Sequence, residues 1–297
     1  MNRRNLIKNT ALAATVGMTS NPFSNRILAA EAALETSLKG RINHSACRWC
    51  YDSIPFEDLC KAAKEIGLQS IELTGPEEWP ILNKYGLTCA MGWGKYPDKM
   101  GLTNFFNKVQ NHDALVAFYE DLIPKAANAG VRNVICFSGN RDGMDDYVGL
   151  LNCQKGLQRI MKVAEKNQVT VTMELLNSKV DHKDYQCDHT KWGVVLAEMI
   201  GSERFKLLYD VYHMQIMEGD VIATIKKYHP YISHYHTGGV PGRHEIGDTQ
   251  ELYYPAIMKA IVETGYKGFV GQEFIPSPKD AAGKLASLKQ GVLICDV

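Results

Sequence analysis

Tyr231-Ile-Ser-His-Tyr-His236 is a short run of aromatic and β-branched residues that ends in a metal-binding side chain. The chain has three similar runs, which end in Glu174, Asp210 and Glu273. They are Thr170-Val-Thr-Met-Glu174, Phe205-Lys-Leu-Leu-Tyr-Asp210 and Gly268-Phe-Val-Gly-Gln-Glu273. Each is typical of a buried strand in a parallel sheet, and each precedes a segment with helical periodicity. This alternation predicts parallel strands whose carboxyl ends meet on one face.

Eight strand–helix units can be counted after residue 40. The other four strands are predicted at residues 41–47, 69–73, 87–91 and 133–137. Eight units predict an α/β chain that forms a single-domain (β/α)8 TIM barrel over residues 41–295. An open doubly wound sheet is the alternative fold. It usually carries a glycine-rich phosphate loop, and the sequence has neither GxGxxG nor GxxxxGKS/T.

The stretch at residues 92–111 is irregular and rich in Gly, Lys, Pro and Asn. Long connections inside a compact domain are often functional, so we expect this one to form a lid.

Composition favours a globular protein that acts on a small molecule. The chain has 297 residues, 45% of them apolar, and Lys plus Arg equals Asp plus Glu at 33 each. Such a chain can bury one large α/β core. A net charge of zero provides no excess of basic residues for nucleic-acid phosphates, so we expect no nucleic-acid partner. The sequence leaves open whether copies form a homo-oligomer.

The first 32 residues differ from the remainder of the chain. Asn2-Arg3-Arg4-Asn5-Leu6-Ile7-Lys8 precedes a weakly apolar stretch at residues 10–18 and small residues at 29–33. This pattern resembles a twin-arginine signal peptide over residues 1–32 and predicts export to the periplasm. No stable membrane span is expected, because a span needs about 20 strongly apolar residues. The alternative is a cytoplasmic protein with a basic tail.

Cys47-Arg-Trp-Cys50 has the spacing of a redox or zinc half-site. No second pair with metal-binding spacing follows it. We therefore expect the eight cysteines to behave as small buried apolar residues.

The four polar strand ends predict one metal site. Closure of the barrel would bring together Glu174, Asp210, His236 and Glu273. Three carboxylates and one imidazole suit a single Mn²⁺, Mg²⁺ or Co²⁺ ion better than a thiolate-bound metal. One carboxylate alone could be an ion-pair partner, but four such groups on one face favour a shared metal. We expect His234, one layer deeper, to be a hydrogen-bonded barrel residue.

Four stretches around these residues carry a family resemblance. They are Met173-Glu-Leu-Leu-Asn177, Tyr209-Asp-Val-Tyr-His-Met-Gln215, Val240-Pro-Gly-Arg-His-Glu245 and Gly271-Gln-Glu273. Over about residues 41–295 the chain resembles the hydroxypyruvate isomerase family of xylose isomerase-like TIM barrels. The resemblance implies that Glu174 and Glu273 are the acid and base and also bind the metal, with Asp210 as another ligand.

His236 departs from the family pattern. Many hydroxypyruvate isomerases carry Gln at this place, whereas the related ketose 3-epimerases carry His. The resemblance implies a metal-dependent isomerase that interconverts hydroxypyruvate and tartronate semialdehyde, or an aldose–ketose pair, through an enediolate. A ketose 3-epimerase is the alternative, because returning the proton to the opposite face of one carbon gives an epimer.

Two alternatives come from other classes of protein. A non-catalytic exported sugar-binding protein would need no carboxylate pair across a metal. A repair nuclease of the related barrel class would need more metal ligands and a basic groove.

Three further residues are predicted to bind a hydroxy-oxo acid or sugar substrate. His213 lies just past the Asp210 strand and could hydrogen-bond a substrate oxygen, or act as a capping residue. Arg243 lies in a Pro-Gly loop and could bind a carboxylate or sugar hydroxyls. Trp49, at the mouth of the first strand, could form a wall of the site or pack in the core, and Trp93 is in the same position at the third strand.

Overall fold

Parallel strands form the barrel wall, as the β-branched and aromatic runs predict. The computed structural model describes residues 38–97 and 99–297, and its sheet has the strand order β2-β1-β7-β6-β5-β4-β3. The strands are β1 (Asn43–Cys47), β2 (Ser70–Glu72), β3 (Asn133–Cys136), β4 (Thr170–Glu174), β5 (Phe205–Asp210), β6 (Ile232–Thr237) and β7 (Phe269–Gln272). Neighbouring strands are parallel throughout, so their carboxyl ends lie on one face.

The strand predicted at residues 87–91 does not form as a regular strand. Its segment makes isolated parallel bridges instead, from Thr88 to Ser70 in β2 and from Gly92 to Val134 in β3. The backbone N–H of Ala90 donates to the Ser70 hydroxyl oxygen at 2.8 Å, so a side chain replaces a ladder carbonyl at this point. The segment lies between β2 and β3, where the remaining strand of an eight-stranded barrel was predicted.

Helices follow the strands and bury their apolar faces. They are α1 (Phe56–Ile66), α2 (Trp79–Lys84), α3 (His112–Asn128), α4 (Asp146–Asn167), α5 (Thr190–Ile200), α6 (Val211–Met217), α7 (Val221–Tyr228), α8 (Tyr254–Glu263) and α9 (Ala281–Cys295). In α3, for example, the buried face includes Leu115, Tyr119 and Ile123. Helix α1 ends at Gly67, whose φ of 100° allows its N–H to bond the Ala63 carbonyl at 3.1 Å.

Helix α6 is a short helix between β5 and α7. It begins directly after β5, and the Asp210 carboxylate caps it by accepting from the backbone N–H of Tyr212 at 2.8 Å. This cap explains how one residue can end a strand, start a helix and keep its second oxygen free.

The irregular stretch at residues 92–111 is anchored in the core. Phe105 and Phe106 are fully buried, and the side-chain amide of Asn107 donates to Oε1 of Gln186 at 2.8 Å. Trp93 and Leu102 remain partly exposed. The second half of the predicted lid is therefore packed into the protein core.

The predicted export leader lies outside the described residues. Within the described part of the chain, no helix has the length and apolar character needed to cross a membrane. All eight cysteines are buried and free of disulfides, in line with the expectation of small apolar packing residues.

Candidate active site

Four side chains meet at the carboxyl face of the sheet. Glu174 and Asp210 end β4 and β5, His236 lies near the end of β6, and Glu273 directly follows β7. One ligand atom from each residue lies within 4.8 Å of the others, and all four residues are buried. They converge because β4, β5, β6 and β7 are consecutive neighbours in the sheet.

Glu72, the last residue of β2, fixes the orientation of His236. Its Oε1 lies 2.6 Å from Nε2 of His236 and 2.7 Å from Nε2 of His234. A carboxylate oxygen accepts, so both imidazoles donate an N–H to it. Nδ1 of His236 then faces the site, 2.9 Å from Oε2 of Glu273. Such a carboxylate–histidine pair leaves Nδ1 as the nitrogen available to a metal.

The charge on Glu72 is stabilised by this pairing. Burial alone would raise the pKa of the Glu72 carboxyl, but His234 and His236 outweigh it and hold the pKa at about 2. His234 is fully buried and hydrogen-bonded, as expected for a barrel residue.

The three carboxyl groups of the site have opposed environments. Burial and the Glu273 charge raise the pKa of Glu174, and they raise that of Asp210 to about 8. Burial acts in the same direction on Glu273, but His236 and Arg243 hold its pKa well below the usual range. Buried carboxyl groups at this separation cannot all ionise without added positive charge.

Two oxygens of this set are orphaned. Oε1 of Glu174 and Oδ2 of Asp210 are buried without a hydrogen-bond partner. Buried polar atoms normally have partners, so these oxygens point to a missing group. Hard oxygen donors beside an imidazole nitrogen fit a divalent cation, which would also balance the excess negative charge.

His213 presents a proton donor to the site. Asn177 Oδ1 accepts from the backbone N–H groups of Val180 and Asp181 at 2.9 Å, which identifies its other terminal atom as the amide nitrogen. That nitrogen donates to Nδ1 of His213 at 2.6 Å. An accepting nitrogen carries no proton, so neutral His213 is protonated at Nε2, which lies 3.6 Å from Asp210 Oδ2 without a partner.

Burial lowers the pKa of His213 well below its usual value, and the Arg243 charge acts in the same direction. Both effects keep the ring neutral. The residue lies in α6 and is fully buried.

Arg243 and Trp49 both contact Glu273. The Arg243 guanidinium donates to Oε2 of Glu273 at 2.7 Å, and the Trp49 indole N–H donates to Oε1 at 2.9 Å. The guanidinium also lies 5.3 Å from the Trp49 ring centre and 5.4 Å from that of Tyr212. Two of the residues predicted to bind substrate, Arg243 and Trp49, therefore orient one glutamate.

A cavity of about 310 Å³ opens above these groups. Its polar lining includes Glu174, Glu273, Arg243 and His182, and its apolar walls include Trp49, Trp93, Leu102 and Phe137. The site thus combines a few convergent polar groups with aromatic walls, as small-molecule sites generally do.

Sequence reasoning missed three of these residues. Glu72 carried a usable signal, because an ionisable residue inside a predicted buried strand needs a partner. Asn177 lies in the stretch Met173-Glu-Leu-Leu-Asn177, but no role was predicted for it. His182 lies in the loop after β4, and no periodic pattern indicates which residue of such a loop faces a cavity.

The sequence pattern of a known family covers most of the chain. The family described as xylose isomerase-like TIM barrel matches residues 60–291. The chain belongs to this family. The match confirms the predicted fold family and its parallel barrel.

Curated relatives of this xylose isomerase-like barrel are named isomerases. A hydroxypyruvate isomerase of Escherichia coli is 34% identical over 184 residues, which cover 52% of this chain and 71% of that protein. A 2-oxo-tetronate isomerase of Cupriavidus necator is 36% identical over 115 residues, which cover 39% of this chain and 44% of that protein. These names support an isomerase.

Solved structures resemble the whole barrel. An AP endonuclease, family 2, from Brucella melitensis has a TM-score of 0.71 at 24% identity, covering 82% of this chain and 96% of its own. A D-psicose 3-epimerase from Clostridium cellulolyticum, solved with D-tagatose, has a TM-score of 0.69 at 17% identity, covering 86% and 100%. At these identities the likeness concerns the fold alone.

Proposed function

We propose that this chain is a divalent-metal-dependent isomerase that moves a proton between neighbouring carbons of an α-hydroxycarbonyl compound. The observation that carries the proposal is the pair of buried glutamates, Glu174 and Glu273, which line one cavity and share His236 and Asp210 as neighbours. A binding protein has no need for two such carboxyl groups across one site.

The metal ligands in this proposal are Glu174, Asp210, His236 through Nδ1, and Glu273. The orphaned oxygens of Glu174 and Asp210 support the assignment, and the donor set suits Mn²⁺, Mg²⁺ or Co²⁺. When bound, such an ion stabilises negative charge on the substrate oxygens as it develops.

The two glutamates carry the proton. One carboxylate removes the proton from the carbon beside the carbonyl, and the C–H electron pair moves to give an enediolate. The proton then returns to the former carbonyl carbon, and the hydroxyl proton moves to the former carbonyl oxygen, which converts a ketone into an aldehyde. With Glu174 and Glu273 both acting, a proton can be removed on one side and returned on the other.

The surrounding residues position these groups. The Nε2–H of His213 would donate to a substrate oxygen whose negative charge grows in the reaction, and this strengthens the bond in the transition state. Trp49 and Arg243 hold Glu273 and exclude water from it. Glu72 would hold His236 in the orientation that presents Nδ1 to the metal and would make that nitrogen a stronger ligand.

The names of the relatives favour hydroxypyruvate and its aldehyde isomer, tartronate semialdehyde, or a related 2-oxo acid. An aldose–ketose pair fits the same chemistry. A ketose 3-epimerase is the second candidate, because the chain has His236 where many hydroxypyruvate isomerases have Gln.

The test is solvent exchange. Protein loaded with Mn²⁺ is incubated in deuterium oxide with hydroxypyruvate, 2-oxo-tetronate, ketoses and inososes, and NMR locates the deuterium. Deuterium on the carbon beside the carbonyl, together with the isomeric product, supports the isomerase. Exchange at C3 with inversion would favour the epimerase. Metal binding without exchange in any compound would overturn both and favour a sugar-binding protein.

We also propose export. Residues 1–32 would act as a twin-arginine leader that delivers the barrel, residues 41–295, to the periplasm. The support is the Arg3-Arg4 pair followed by a weakly apolar stretch.

A further inference from the structure

One polar group of the cavity has no part in the reaction described above. His182 lines the cavity together with Glu174, Arg243 and Glu273, and its Nε2 is buried without a hydrogen-bond partner. A buried polar atom without a partner carries a free-energy cost, which a bound ligand would remove.

The loop that carries His182 is well fixed. The backbone N–H of His182 donates to the Asn177 carbonyl at 3.1 Å, and the His182 carbonyl accepts from the N–H of Tyr185 at 3.0 Å. Tyr185 is fully buried, and its hydroxyl donates to the Glu174 carbonyl at 3.0 Å. The loop backbone is therefore fastened to the end of β4, and the imidazole packs edge to face against His213.

His182 has no carboxylate of the metal-ligand set within ion-pair distance, whereas His213 has one. The two rings meet edge to face with centres 5.3 Å apart, and Nε2 of His213 lies 3.6 Å from Asp210. A substrate oxygen that contacts His213 is thus next to the reacting carbons. A group that contacts His182 belongs to a more distant part of the same molecule.

The chemistry of His182 favours a hydroxyl group. Burial and the nearby Arg243 charge lower its pKa below the usual value, so the ring is neutral at pH 7. A neutral imidazole has one donor and one acceptor nitrogen, and a hydroxyl group can pair with either.

The cavity also has room for a substrate that extends beyond the reacting carbons. A volume of about 310 Å³ lies at the lower end of the range of small-molecule sites, roughly 300–1,000 Å³. His182 and Leu102 line the same cavity as Glu174 and Glu273, so a substrate held at the glutamates can extend to His182.

We infer that His182 is a specificity-determining residue that hydrogen-bonds a hydroxyl group beyond the two carbons that exchange the proton. The preferred substrates are therefore α-hydroxycarbonyl compounds of four or more carbons. The inference rests on the proposed function and adds the substrate class to it.

The test compares two substrates in two proteins. The substrates are 2-oxo-tetronate and its 4-deoxy analogue, which differ only in the distal hydroxyl, and the proteins are the wild type and His182→Phe. Phenylalanine keeps the ring against His213 but cannot hydrogen-bond. His229→Phe, at an exposed histidine before β6, is the matched control. Mn²⁺ affinity, measured by calorimetry, reports whether the site is intact.

Wild type should prefer 2-oxo-tetronate over the deoxy analogue in kcat/KM by about tenfold, as one hydrogen bond provides. His182→Phe should lose this preference with unchanged Mn²⁺ affinity, and His182→Gln, whose amide nitrogen can reach the place of Nε2, should retain most of it. An equal preference in wild type and His182→Phe would overturn the inference, as would a glutamine variant as indifferent as the phenylalanine one.

Deuterium exchange by the wild type distinguishes a failure of this inference from a failure of the proposed function. If the wild type exchanges deuterium into ketoses but not 2-oxo acids, the same comparison is made with the best ketose and its analogue lacking the next hydroxyl. If it exchanges deuterium into no compound, the proposed isomerase fails, and the role of His182 fails with it.

Discussion

Replacing Glu72 by Gln should weaken metal binding without touching a metal ligand. The amide keeps the shape of the side chain but removes the negative charge that accepts from His234 and His236 at 2.7 and 2.6 Å. His236 then becomes a poorer ligand, because its N–H no longer points at a carboxylate. Loss of such a partner typically costs 10–100-fold in metal affinity, and we expect about that loss for Mn²⁺.

The same change should destabilise the metal-free protein. The pKa of Glu72 falls from 4.5 to about 2 on folding. At ~1.4 kcal/mol per unit the ionised form contributes about 3 kcal/mol to the free energy of unfolding. Because the folded pKa is lowered, this contribution is present above pH 4.5 and is lost as the pH falls towards 2. Its loss at pH 7 in Glu72→Gln should appear in urea denaturation.

Calorimetric titration with Mn²⁺ measures the affinity, and urea denaturation in the presence of a chelator measures the stability. Glu77→Gln, an exposed change in the loop after β2, is the matched control and should alter neither quantity. A Glu72→Gln protein that binds Mn²⁺ as tightly as wild type would refute the reasoning, even if it were less stable.

Three further outcomes are expected. Metal binding between pH 6 and 8 should release protons, and the Mn²⁺ affinity should rise with pH. The reason is that Asp210, with a pKa of about 8, and His236, with a raised pKa, hold protons that a metal must displace. An Mn²⁺ affinity independent of pH in calorimetry would contradict this. His213→Ala should lower kcat/KM by tens to a hundredfold, about 1.5–3 kcal/mol for a hydrogen bond to developing charge, and an unchanged value would remove its role. Replacing Arg3 and Arg4 by Lys should leave the protein in the cytosol, and unchanged recovery from the periplasm in cell fractionation would end the export proposal.

Sequence alone predicted the site largely through strand periodicity. The carboxyl ends of parallel strands share one face, so Glu174, Asp210 and Glu273 could be grouped without any knowledge of side-chain positions. The same alternation predicts a helix after each of these strands, and α5, Thr190–Ile200, is the long helix that follows β4. Strand periodicity gives no sign of the short helix α6, because its start depends on the Asp210 cap at the end of β5.

What the sequence could not reveal depends on contacts across the barrel. Glu72 meets His236 although the two are 164 positions apart and their strands are not neighbours in the sheet. The position of the proton on His213 depends on which groups Asn177 hydrogen-bonds. The segment at residues 87–91 has the composition of a strand, but a Ser70 hydroxyl takes one of its backbone donors. Such facts follow from three-dimensional packing.

Two glutamates move the proton in the proposed mechanism. Glu174→Gln and Glu273→Gln keep an oxygen that can contact a metal but cannot accept a proton. Glu203→Gln, on the exposed end of the helix–strand loop before β5, is the matched control.

The measurement is deuterium incorporation into the best substrate of the wild type, in deuterium oxide and with Mn²⁺ saturating. The proposed mechanism predicts that both site variants fold with a near-native Tm and incorporate no deuterium above background, while Glu203→Gln matches wild type. Exchange near the wild-type rate in either site variant would contradict the two-glutamate mechanism.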